Sequence, residues 1–274
     1  MERVTRFRGR AGRRGRAVSR PKVCVITGFG INADEELALA FQRVGAHVQR
    51  VHVTDLVAEP DRLFRFRILA FPGGFSFGDH LGSGKVFATL FRRALGTRMQ
   101  KFVSDGGLAI GICNGFQVLV KMGILPNSRG TGAQEVSLVH NDSGRYEDRW
   151  VRVRFERESR CAWTRALTEM DLPVRHGEGK FVTRDGGQLA ALSRDGLVSL
   201  RYAAAGGGEP GYPEDPNGSD GHVAGICDPS GRVFGLMPHP EAFQYAQNHP
   251  DWPSRPNLGP EGLLIFENGV TAAR

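Results

Sequence analysis

Cysteine is scarce and scattered. The four cysteines in 274 residues, Cys24, Cys113, Cys161 and Cys227, form no CxxC pair and no Cys/His cluster at zinc-ligand spacing. That excludes a disulfide framework and a structural zinc site as organising devices, and no other metal is expected. A reducing compartment, the cytoplasm, is the expected setting. Long apolar runs are missing too. No stretch of about 18 apolar residues could span a bilayer, and no apolar core of a secretory signal follows the first residues, so neither a membrane nor export is expected.

Net charge is absent from the body of the chain. The formal charge is +7, but "MERVTRFRGRAGRRGRAVSR", residues 1–20, holds eight arginines against Glu2 alone, so residues 21–274 balance to zero. A neutral body offers no basic face to phosphates, and the domain is not expected to bind nucleic acid. The tail has the composition of a transit peptide or an RNA-binding arm. The expectation is instead a disordered extension, or residues upstream of the true start, with no catalytic role. A phosphate loop is lacking as well: "GSGK" at 82–85 has neither the spacing nor the following Ser/Thr. No nucleotide or other cofactor is expected in this chain.

What remains is a chain with 40% hydrophobic residues, enough for a sizeable core. No Gly/Ser/Pro linker divides residues 21–274, which read as one domain. "KVCVITGFG" predicts a strand ending in glycines, and "NADEELALAFQRVGA" a helix with Leu37, Ala40, Phe41 and Val44 at helical spacing. Asn32 or Asp34 is expected to cap it, with Glu35 and Glu36 in the first turn. "HVQRVHV" and "RILAFPGG" predict two more strands, "GKVFATLFRRALGTRMQKFVSDGG" a helix, and "LAIGI" a fourth strand. Such alternation predicts an α/β fold with a mostly parallel central sheet flanked by helices. From about Ser137 the pattern changes: "SLVHNDSGRYEDRWVRVRFE" and "QLAALSRDGLVSLRYA" read as strands with no helix between them, an antiparallel extension. "GGGEPGYPEDPNGSDG" is a long loop, and "HVAGICD" and "RVFGLMP" are short strands about a "PSG" turn.

The fourth strand runs into "GICNG", residues 111–115, a G-x-C-x-G elbow with sulfur in place of a serine oxygen. Gly111 and Gly115 leave room for a strand to turn into a helix within a residue or two, exposing Cys113 at the carboxyl end of the sheet. The dipole of the helix starting near Asn114 favours thiolate there, and main-chain N–H groups can receive an oxyanion. A buried structural cysteine is the bland alternative, so the elbow needs a base. "GLMPHPE", 235–241, supplies His239, stiffened by Pro238 and Pro240, with Glu241 two residues on. In an extended segment the two side chains point the same way, completing a Cys-His-Glu triad. "FPGGFSFGDH", 71–80, places Gly73, Gly74 and Gly78 at the same sheet edge. An N–H from Gly74 or its neighbour then completes the oxyanion hole with Asn114 N–H.

These separated motifs resemble those of class I glutamine amidotransferases, most closely the glutaminase subunits of phosphoribosylformylglycinamidine synthases. The resemblance rests on "GICNGFQ", "FPGGFSFGD", "LPVRHGEGKF", "DPNGS" and "GLMPHPE", and extends over residues 22–245. It implies a flavodoxin-like class I glutaminase fold. It implies that Cys113 attacks L-glutamine, that His239 shuttles the proton and that Glu241 orients His239. It implies further that Gln117, one turn past the nucleophile, contacts glutamine, and that ammonia passes to a separate large synthetase subunit. That subunit is where ATP and Mg belong, and a small third subunit completes the assembly. "TGFGINADEE" departs from the family's usual first loop, so no function is carried to Asn32 or Asp34, and the segment after "HPE" also differs. His176 and Glu178 match a family segment and are read only as interface or supporting residues. Cys24, Cys161 and Cys227 read as core.

Three rival readings remain at this level: a class I glutaminase feeding another acceptor, a cysteine hydrolase of similar fold acting on peptides or small carbonyls, and a non-catalytic protein using its Arg-rich tail on RNA. "HGEGKF" and "DPNGS" argue against the first.

Overall fold

Apolar runs that are hydrophobic on both faces need cover on both faces, and this requirement organises the chain. The computed structural model describes residues 20–274; all but the last residue of the basic tail lie outside the described residues. The elements in order are β1 (Lys22–Thr27), α1 (Asp34–Arg43), β2 (His47–His52), α2 (Val53–Ala58), β3 (Ile68–Phe71), α3 (Lys85–Ser104), β4 (Leu108–Ile112) and α4 (Asn114–Lys121). There follow β5 (Ser137–His140), β6 (Glu147–Phe155), β7 (Glu169–His176), β8 (Glu178–Val182), α5 (Gly186–Arg194), β9 (Val198–Tyr202), β10 (Val223–Cys227), β11 (Val233–Leu236) and α6 (Leu263–Ala272).

Nine strands form one sheet in the order β2-β1-β3-β4-β11-β10-β9-β6-β7, and β5 pairs with β8 in a separate antiparallel ribbon. The first five run parallel and the rest pair antiparallel, so the expected extension is nearly as wide as the parallel core. Residues of β3, β4, β10 and β11 are all buried. Order 2-1-3-4 reverses direction between β1 and β3, and a crevice opens beyond the carboxyl ends of strands at such a point. The last parallel strand, β11, comes from the far end of the chain and lies in register beside β4, Leu236 opposite Ile112.

One hydrophobic cluster runs from Val23 to Ala273. Its far side is closed by α6: Phe266 meets Phe41 of α1 edge to face at 5.0 Å, and Trp163 lies against Phe41 at 6.3 Å. Each such ring contributes roughly 1.5–3 kcal/mol by leaving water. Gly269 is required there because a Cβ would strike the Trp163 ring. Among the described residues no helix is long and apolar enough to cross a membrane.

Two local expectations are corrected. Neither Asn32 nor Asp34 caps α1; the cap position is Ala33, with no side-chain hydrogen bond. Asp34 is the first helical residue, and its carboxylate is drawn instead to Arg50, 3.1 Å away on the neighbouring strand. The segment read as strand from "QLAALSR" is helix α5. Asp185 caps it by accepting from Gln188 N at 2.8 Å, and this local cap outweighs the apparent alternation.

Candidate active site

The site is built on the ends of β3, β4 and β11. Cys113 follows β4 directly and holds φ 52°, ψ −107°, a conformation L-residues rarely adopt. Such backbone costs about 1–3 kcal/mol and persists only where surroundings over-determine it. Two features do so here. Cys113 N–H donates to Leu236 O at 2.8 Å, locking the corner to β11. A Cβ on Gly111 would lie 2.6 Å from Gly115 O, and one on Gly115 would run into Phe71 O. Both glycines are therefore needed for the strand, the helix and the neighbouring β3 to pass so closely.

Three residues beyond β11, His239 and Glu241 are both buried, and His239 Nδ1 lies 2.6 Å from Glu241 Oε1. The pair does not arise from an extended segment, as the alternation argument had it. Pro240 starts a one-turn 3-10 helix, Pro240–Ala242, which folds Glu241 back onto the ring. His239 N–H is anchored to Pro173 O at 2.8 Å. Burial alone would strip the proton from this imidazole, but the charges of Glu241 and Cys113 outweigh it and raise the pKa to about 10.

Gly73 fixes where sulfur and imidazole meet. A Cβ there would stand 2.8 Å from His239 Cε1 and 3.6 Å from Cys113 Cβ, so the two side chains flank a single point just past β3. His239 Nε2 is buried and receives no partner among the described residues. Cys113 Sγ lies 3.7 Å from Arg175 O.

Gly74 is the next residue of the same glycine loop. Gly74 has φ 145°, and a Cβ would be 2.6 Å from Gly30 O. Of its two neighbours, Phe75 is not available as a donor, because its N–H is committed to Gly30 O at 2.8 Å. Gly74 lines the same cavity as Cys113, which stands at the N-terminal end of α4, where the first N–H groups have no partner within the helix. The Asn114 side chain ties the two together: its Oδ1 accepts from Ser76 N at 3.3 Å, and its Nδ2 donates to Asp79 at 3.3 Å and to Gln117 Oε1 at 3.1 Å. Gln117 Nε2 in turn donates to Glu178 O at 2.6 Å.

Cys113, His239, Gly74 and Gln117 line one cavity of about 270 Å³. Glu241 and Asn114 stand behind its wall. His176 and Glu178, read from the sequence only as supporting residues, line the cavity themselves. The sequence reading missed Glu36, Asp79, Tyr146 and Arg175, which also line the cavity. Asp79 sits at the end of the glycine motif "FPGGFSFGD", a signal that was available. Arg175 and Glu36 are joined at 3.1 Å across a long stretch of chain, and nothing local announces that. Cys24, Cys161 and Cys227 are buried away from the cavity, and burial pushes the Cys24 thiol up to about 12.

A cysteine elbow beside a buried His-Glu pair, at the carboxyl ends of the parallel strands of an α/β sheet, is the arrangement that thiol-dependent acyl transfer uses. Comparison with known proteins narrows it. The CobB/CobQ-like glutamine amidotransferase domain family matches residues 20–271, and the chain belongs to that family. Phosphoribosylformylglycinamidine synthase subunit PurQ of Dehalococcoides mccartyi is 42% identical over 94% of this chain and 99% of that one. The same subunit of Methanococcus maripaludis is 39% identical over 91% and 97%. A solved PurLQS structure from Thermotoga maritima superposes with a TM-score of 0.71 at 29% identity, covering 93% of this chain and 100% of the matched one. Within the amidotransferases the chain is thus a member of the phosphoribosylformylglycinamidine synthase PurQ subunits.

Proposed function

We propose that this glutamine amidotransferase hydrolyses L-glutamine at Cys113 and delivers the ammonia to a synthetase subunit that converts formylglycinamide ribonucleotide to the formylglycinamidine in purine biosynthesis. Cys113 Sγ, its proton already passed to His239, attacks the side-chain carboxamide carbon as thiolate. The oxyanion forms against Gly74 N–H and Asn114 N–H. His239 then protonates the departing nitrogen, ammonia leaves, and a glutamyl thioester remains on Cys113. Water attacks the thioester with His239 as base, and glutamate and the free thiol are released. Glu241 keeps the imidazole in one orientation and stabilises its cationic form.

The observation that carries this reading is that Cys113 and His239 flank one point above Gly73, inside one cavity. A volume of about 270 Å³ suits a single amino acid better than a peptide. Its charged lining, Asp79 and Glu178 with Arg175 and Glu36, suits a zwitterion. Gln117 contributes to holding glutamine. The large synthetase subunit, where ATP and Mg are expected, and a small third subunit are the expected partners, residues 21–274 act as one domain, and the cytoplasm is the expected location.

The test is co-purification with the candidate synthetase followed by an assay of glutamine-dependent amidine formation. Glutamate release tied to that product is the expected result. Hydrolysis of peptides with no action on glutamine would point to the rival cysteine hydrolase.

A further inference from the structure

Three side chains between the glycine loop and β8 form a relay of hydrogen bonds whose direction is fixed. Asn114, the residue after the nucleophile, is buried. Ser76 N–H can only donate and meets the Asn114 amide at 3.3 Å, so the atom it meets is Oδ1. The other amide atom, Nδ2, lies 3.3 and 3.4 Å from the two carboxylate oxygens of Asp79, which only accept. Nδ2 also donates to Gln117 Oε1 at 3.1 Å. Gln117 Nε2 is then the atom at Glu178 O, 2.6 Å away, and a carbonyl oxygen only accepts. Each amide is thus held in one of its two flips by partners that cannot change role.

Asp79 anchors the free end of this relay. It is half-buried and pairs with no basic side chain among the described residues. Its other contact closes the loop on itself, Gly84 N–H donating to Oδ1 at 3.0 Å. The backbone at Asp79 has φ 53°, a left-handed conformation that glycine adopts freely and that aspartate and asparagine tolerate better than other residues. That conformation costs energy that glycine would not lose, and the hydrogen bonds of the carboxylate offset it. Burial raises the pKa of Asp79, and the hydrogen bonds from Gly84 and Asn114 oppose the rise. Ser76 and Asp79 belong to the loop that Gly74 begins, and Asn114 begins α4. One side chain therefore spans the gap between the two main-chain N–H groups assigned to the oxyanion.

We propose that Asp79 is a positioning residue for the glutaminase reaction: its carboxylate sets the Asn114 amide, which holds the Gly74 loop to the start of α4 and keeps Gln117 in the flip that holds glutamine. This rests on the glutaminase reading of Cys113. Asp79 touches no reacting atom in this scheme. Disturbing the oxyanion donors lowers kcat, because they are needed most in the transition state, whereas turning Gln117 weakens ground-state binding and raises KM.

The experiment measures kcat and KM for glutamine in the full chain assembled with its synthetase. Asp79→Asn is nearly isosteric and suits the left-handed backbone, but it replaces one acceptor oxygen by a donor facing Asn114 Nδ2. A fall in kcat of about tenfold or more is expected, with KM raised and little change in melting temperature. Asn114→Asp sets two carboxylates against each other and should lose at least as much. Combining the two restores an amide–carboxylate pair with its direction reversed, and the carboxylate at 114 still accepts from Ser76 N–H. In that double variant kcat is expected to recover by about tenfold over Asn114→Asp. KM should stay high, because Gln117 must then turn Nε2 toward position 114 and away from Glu178 O. An unchanged kcat in Asp79→Asn overturns the proposal, and so does a double variant whose loss is the product of the two single losses. Should Asp79→Asn fail to fold, Asp79→Gly takes its place: it relieves the backbone and removes the carboxylate, the same fall in kcat is expected, and unchanged constants overturn the proposal. If the wild-type assembly hydrolyses no glutamine, or Cys113→Ala retains that activity, the glutaminase reading has failed and this inference falls with it. An unchanged kcat in Asp79→Asn beside an inactive Cys113→Ala removes the inference alone.

Discussion

The imidazole of His239 and the carboxylate of Glu241 are joined at 2.6 Å inside the protein, both side chains buried. Burial opposes a charge on the ring, yet Glu241 and then Cys113 raise its pKa from 6.5 to about 10. The folded value lies above the unfolded one, so this pair's contribution to stability is complete below about pH 6.5 and is lost as pH rises through about 10. Glu241→Gln removes the largest of the raising causes. The alkaline limb of glutamine hydrolysis is expected to move to lower pH, and the rate near neutrality to fall by about 10²-fold or more. A pH–rate profile of E241Q beside wild type measures both, and an unmoved limb contradicts the orienting role of Glu241.

Cys113→Ala removes the nucleophile without filling space. In the assembled enzyme it is expected to abolish glutamine-dependent amidine formation and to spare synthesis from added ammonia, since the acceptor chemistry sits on another subunit. Assays with each nitrogen source check this. Loss of both activities contradicts the assignment of Cys113.

Two glycine substitutions should separate geometry from folding. Gly73→Ala puts a methyl group 2.8 Å from His239 Cε1, where the ring must shift. Glutamine turnover should fall by about 10²-fold, with much smaller change in melting temperature. Gly115→Ala drives a methyl group into the Phe71 carbonyl, a main-chain atom that cannot give. That variant should lose stability first, by several degrees in a thermal melt or by failing to fold. Equal melting temperatures for the two variants would contradict this division.

Asp171 on β7 accepts from Arg152 at 3.0 Å and from Arg255 at 2.7 Å, tying the antiparallel edge to the segment before α6. Burial raises its pKa, but the two guanidinium groups outweigh that and hold it below the ordinary carboxylate value of 3.8. Its folded pKa is therefore depressed, and its contribution is present above the unfolded value and lost as pH falls through the folded one. Asp171→Asn is expected to cost about 2 kcal/mol at neutral pH. The gap from wild type should narrow on acidification, as chemical denaturation at two pH values would reveal.

Much of the site was legible because its chemistry is local. The corner at Cys113 needs small residues at 111 and 115, and both are written into five consecutive letters; the room they leave is what β3 and α4 fill. The His-Glu pair was legible as a pair, though its geometry was not: Pro240 starts a turn where alternation suggested extended chain. The missing cap of α1 and the unexpected helix α5 differ in cause. Asp185 caps α5 through Gln188, three residues on, whereas Asp34 can serve a helix end or an ion pair, and that choice depends on Arg50, which lies on another element. His176 carried no local signal of its hydrogen bonding, since its partner is Asn141, which lies in a different part of the chain.

By itself the sequence determined the parallel half of the sheet and named the candidate reacting groups, because strand burial, tight turns and nucleophile chemistry all act over a few neighbouring residues. Tertiary structure alone decided that β11 enters beside β4, bringing His239 to Cys113, and that Arg175, His176, Asp79 and Glu36 close the cavity around them. Strand order joins segments far apart along the chain, and no periodicity or propensity within a segment encodes which distant segment will become its neighbour.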